Sequence, residues 1–184
     1  MAASTVSSLS YDDLGDNLPV GSRYADQWVR SKEFDMGTGT GASPGLAAHG
    51  VSGKFQYVYV VPMTNVDEIE YAWRVPFDCD VAERIYIAFA IISNADSKAL
   101  TLTPTYDVLA AGETTAAGAT ALDGTIPSKT CTSANYLYWT YYGWLEGSKV
   151  TAGDLMHLTV TASGQTTGDA VRVVGMHIVW HKKR

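Results

Sequence analysis

The chain has 184 residues, 46% of them hydrophobic and only 17% charged, with a formal net charge of −6. That length fits one domain with an appended segment, and the apolar share is enough for a sizeable core. The acidic balance lacks the clustered basic face of a nucleic-acid binder, and no apolar run reaches membrane-spanning length. Two cysteines, Cys79 and Cys131, are too few for a disulfide framework and lack the Cys-x-x-Cys spacing of a zinc or redox site.

Residues 1–50 read as an N-terminal arm and Gly-rich linker. The first residues have neither the charged nor the apolar region of a signal peptide, so the expectation is synthesis in a cytoplasm. An acidic cluster, Asp12, Asp13 and Asp16, follows, with room for one short helix at 11–14. Residues 24–34, with Trp28 and Val29, are more apolar and suit a short strand or an extended anchor. The glycine-rich stretch 36–45 is not a phosphate loop, because it lacks the Gly-Lys-Ser/Thr ending. It reads as a linker.

From residue 51 onward the pattern is that of strands. Phe55, Tyr57 and Tyr59 alternate with Gln56, Val58 and Val60 until Pro62 ends the run. Residues 69–73 form a second candidate strand. In residues 84–92 both faces are apolar, Ile85, Ile87, Phe89 and Ile91 against Tyr86, Ala88, Ala90 and Ile92. Such a strand is central and covered on both sides. Residues 100–109 make another strand. Residues 110–132 are a long insert rich in Ala, Gly and Thr, with room for a weak edge strand; loops of that length are uncommon unless they carry function or meet a neighbour.

Three closing runs follow, at 133–145, 150–162 and 170–181. In the last, Val174, Met176, Ile178 and Trp180 alternate with Val173, Gly175, His177, Val179 and His181. Period-two alternation places the even set on a core face. With no long helical period and no fixed repeat, the fold class is all-β: a single jelly-roll or β-sandwich of about eight antiparallel strands at 51–184, preceded by the extended arm.

The chemistry is sparse. If the last two strands pair, His157, His177 and His181 approach one another as metal ligands would; otherwise they are outer-face histidines. Neighbouring carboxylates such as Asp78 and Asp80 suit a turn better than an acid–base pair. No catalytic motif stands out, so neither enzymatic activity nor a cofactor or metal is expected. The densest feature is the aromatic run Tyr136, Tyr138, Trp139, Tyr141, Tyr142 and Trp144. Rings on both faces of a strand imply that one face meets the core while the other meets core, a subunit or a ligand such as a sugar. The candidate interface residues are Trp28, Phe34, Tyr138, Tyr142, Trp144, His177 and Val179.

The order of an aromatic strand, Ala152-Gly153-Asp154-Leu155, an alternating strand, Gly168-Asp169-Ala170 and a final strand resembles the jelly-roll structural proteins of tailed-bacteriophage virions. The segment 73–77, Trp-Arg-Val-Pro-Phe, and the strand at 85–92 fit the same pattern, so the resemblance spans about residues 70–183. It implies a non-enzymatic head decoration, or cement, protein: a homotrimer on the capsid surface with the major capsid protein as partner. The alternative is a tail or fibre component, or a carbohydrate-binding recognition module.

Overall fold

The fold is built outward from the strand whose two faces are both apolar. In the computed structural model, which describes residues 24–36, 45–49, 56–62, 67–110, 119–165 and 171–183, that strand is β6 (Arg84–Ser93). Its neighbour is β13 (Val171–His181), paired antiparallel along nearly its whole length. On its far side, β13 holds β1 (Tyr24–Arg30) over one half and β4 (Gln56–Pro62) over the other, and β4 carries β3 (Gly45–His49). The other edge of β6 is shared by β10 (Leu137–Trp139) and β11 (Gly143–Glu146).

The second sheet centres on β12 (Leu155–Ser163), flanked by β5 (Glu68–Arg74) and β7 (Lys98–Leu109). The short strand β2 (Asp35–Met36) extends it beyond β5, while β8 (Thr120–Ala121) and β9 (Lys129–Cys131) extend it beyond β7. The described residues therefore form sheets of seven and six strands, all antiparallel, stacked as a β-sandwich. The chain alternates between them, with β5, β7 and β12 in one and β6, β11 and β13 in the other. Helical content among the described residues is limited to two 3-10 turns, Ser31–Glu33 and Gly147–Lys149.

The interior lies between the sheets. Ile85, Ile87, Phe89 and Ile91 of β6 meet Met176, Ile178 and Trp180 of β13, with Met156, Leu158 and Val160 of β12 opposite. Each large aliphatic side chain removed from water there contributes roughly 1.5–3 kcal/mol. Cys79 and Cys131 are buried, unpaired members of this core.

The all-β sandwich agrees with the sequence reading, but three details differ. The strands number thirteen among the described residues because several runs are broken into short pieces. The sandwich also extends N-terminal of residue 51: β1, β2 and β3 lie within the expected arm, and Val29 and Phe34 are core residues. The reason is pairing, since seven residues of β1 match seven of β13. The short helix expected at 11–14 and most of the glycine-rich stretch lie outside the described residues.

The third difference is in β13. Its register against β6 slips between Val173 and Gly175, a β-bulge. One extra residue reverses the inside–outside phase of a strand. Val171 and Val173 therefore face the core before the slip, and Met176, Ile178 and Trp180 after it. Val174, expected inside, lines an outer pocket instead.

Candidate functional site: an aromatic pocket on the outer face of the first sheet

Alternation along β1 buries Val29 and turns Asp26 and Trp28 outward, both exposed. Register then aligns four strands: Trp28 stands opposite His177 and Arg30 opposite Gly175, while Gly175 pairs with Ala90 and Ala90 with Trp139. The middle of this row carries almost no side chain. A Cβ on Gly175 would sit 2.4 Å from Trp28 Cζ2, so the indole lies directly on the β13 backbone. From the other edge Trp139 reaches in to meet Trp28, ring centres 5.5 Å apart and planes at 64°.

Asp26, Trp28, Leu137, Trp139, Val174 and His177 line an open pocket of about 300 Å³. Its polar side is a connected set. His177 Nε2 lies 2.9 Å from Asp26 Oδ2, and His177 Nδ1 lies 2.7 Å from the Tyr142 hydroxyl. An ionised carboxylate only accepts, so Nε2 carries the proton donated to Asp26; in the neutral ring Nδ1 then accepts from Tyr142. Tyr142 is 1% exposed and packs with Ala88 and Val179 beneath Tyr24, Tyr86 and Trp139. Burial raises the pKa of the Tyr24 and Tyr86 phenols, so both stay neutral and act as packing groups.

The seven candidate interface residues divide among three environments. Trp28 and His177 line the pocket, and Tyr142 supports it from below. Val179 is fully buried under Tyr142, and Phe34 is in the core with its ring edge-on to Tyr71. Both correct the interface expectation, because packing within their own chain uses up their surface. Tyr138 packs against the core and ties its hydroxyl to Ser133 N–H and to Thr132. Trp144 lies over Gly124, with the Arg84 guanidinium 5.0 Å from its ring. Sequence reasoning missed Asp26, Leu137 and Val174 as pocket residues. The outward period-two pair Asp26 and Trp28 was a signal for the first.

The three-histidine arrangement does not form. β12 and β13 belong to different sheets, and His157 instead faces Glu70 at 3.3 Å. Among the described residues no group of three or more His, Cys, Asp or Glu side chains could hold a metal ion. Asp80 serves a turn, accepting from the Ala82 N–H.

No protein-family model matches the chain, and no curated protein matches it. Solved structures do. The native family 35 carbohydrate-binding module from Clostridium thermocellum aligns at a TM-score of 0.52 with 11% identity, covering 84% of this chain and 97% of that one. The CBM36-1 domain of a multidomain xylanase from the hindgut metagenome of Trinervitermes trinervoides aligns at 0.48 with 9% identity, covering 87% and 100%. The likeness to the family 35 module shows a shared fold: this chain has the β-sandwich architecture of that module.

Proposed function

We propose that this chain is a non-catalytic carbohydrate-binding module and that the Trp28–Trp139 pocket is its sugar site. The observation that carries the reading is an exposed indole, packed against the backbone at Gly175 and set beside a carboxylate and an imidazole. Ligand sites combine apolar and aromatic walls with a few convergent polar groups. A sugar ring has the complementary surface, an apolar face of C–H groups rimmed by hydroxyls. It can stack on the indole and donate a hydroxyl to Asp26. The fold supports this reading, because the structure it resembles at a TM-score of 0.52 is a carbohydrate-binding module. The virion-decoration reading, with its trimer and capsid partner, rests on the sequence resemblance alone.

The test is binding to immobilised glycans by the purified chain and by Trp28→Ala. The unaltered chain is expected to retain at least one glycan class, and Trp28→Ala to lose at least tenfold in affinity while remaining folded by circular dichroism. Equal retention by both proteins would remove the pocket from the function.

A further inference from the structure

Resting on the carbohydrate reading, we infer that the pocket reads a single sugar ring of its glycan, with Asp26 Oδ1 as the hydroxyl acceptor, and does not grip an extended chain. An extended chain needs several separate platforms. Here Trp28 and Trp139 touch edge to face, centres 5.5 Å apart, so together they form one corner and not two separate platforms. Trp28 rests on the backbone at Gly175, and Trp139 is held between Trp28 and the His177 ring, whose centre is 5.9 Å away. Neither can swing out as a second platform without leaving its support.

The polar side is equally limited. Both His177 nitrogens are engaged, Nε2 by Asp26 and Nδ1 by the Tyr142 hydroxyl. Asp26 Oδ2 is taken by that contact, while its side chain remains half exposed. Asp26 lines the pocket, and Oδ1 is its oxygen outside that contact. Tyr142 is thus a positioning residue: it fixes the imidazole, which fixes the carboxylate. Arg30 is exposed on the same outward face of β1 as Trp28 and stands opposite Gly175.

The experiment titrates the full chain with the methyl glycosides of glucose, mannose and xylose and with the matching β-1,4-linked hexaoses, followed by NMR. The expected Kd is on the order of 1 mM for the preferred methyl glycoside. The hexaose of the same sugar offers about six rings, a statistical gain of up to about sixfold, and is expected to bind less than about tenfold tighter per mole. A gain of about tenfold or more would overturn the single-ring inference and leave the carbohydrate reading standing. No binding by any of the six ligands to folded protein would take down the carbohydrate reading itself.

A second pair of variants tests the acceptor. Asp26→Asn keeps an oxygen at the pocket and can donate to His177 Nε2, which moves the imidazole proton to Nδ1. It is expected to keep affinity within threefold while the imidazole nitrogen shifts report the exchanged tautomer. Asp26→Ala is expected to lose at least tenfold. Equal binding by Asp26→Ala and the unaltered chain would overturn the role of Oδ1.

Discussion

Gly175 is the residue on which the pocket depends most. A methyl group there would meet the Trp28 ring at 2.4 Å and the Val29 carbonyl oxygen at 2.6 Å. The second contact is with backbone, so a side-chain rotation does not relieve both. Gly175→Ala is expected to cost about 1–3 kcal/mol, as overpacking does, and to displace Trp28. A urea midpoint and the glycan titration would check both effects; an unchanged midpoint with unchanged binding would refute the argument. The two cysteines supply a pH prediction. Burial pushes both thiols from 9.0 to about 11. In the unfolded chain they ionise first, so from pH 9 to 11 the unfolded state loses protons that the folded state keeps. Stability is therefore complete below pH 9 and falls as pH rises toward 11. Urea midpoints at pH 8 and 10.5, under reductant, should differ in that direction. Replacing both cysteines with alanine should lessen the difference, with Tyr71 and Tyr106, whose phenols burial also raises, contributing to the remainder.

Between β10 and β11 the edge of the first sheet is interrupted, and Thr140 fills the gap. Its N–H donates to the Phe89 carbonyl at 2.9 Å, and its hydroxyl accepts the Phe89 N–H at 2.9 Å. One side chain thus stands in for a missing ladder rung. It also lets the following residues bulge so that Tyr142 can reach His177. Thr140→Val, nearly isosteric, leaves the buried Phe89 N–H without its acceptor and should cost about 1–3 kcal/mol; a midpoint shift of that size in denaturant would check it. At this scale the sequence was informative where alternation ran unbroken. Residues 84–92 read as a central strand because both faces were apolar, and they are one. Residues 170–181 read as a strand but with Val174 inside, since a bulge leaves no mark in the side-chain pattern. The aromatic run was legible as important, yet its division into a buried Tyr142 and a pocket-lining Trp139 depends on Thr140, a residue with no apolar signal.

For the whole molecule, the largest difference concerned residues 24–49: one of the two readings of 24–34, a short strand, matches β1, but the strand belongs to the sandwich and not to an arm. Short, weakly patterned strands at sheet edges look like linker, because what holds them is pairing with strands far along the chain. Trp28 stood out as an aromatic residue, but its partner was not deducible without the register of β1 against β13. Deleting residues 1–45 removes β1, β2 and the core residues Val29 and Phe34. It should lower the unfolding temperature by well over 10 °C or prevent folding, and it should abolish sugar binding; a truncated protein with full stability would show that β1 is dispensable. The prediction reverses what an arm would imply, namely an intact sandwich after the cut.

The Asp26–His177 contact joins residues 151 positions apart. While the ribosome is still making the chain, β1 has no partner and β6 lacks its central neighbour until residues 171–181 emerge. The pocket is therefore absent from any product that stops short of β13. In a cell, chains interrupted before β13 would present the bare edge of β6, an apolar strand, to proteases and chaperones.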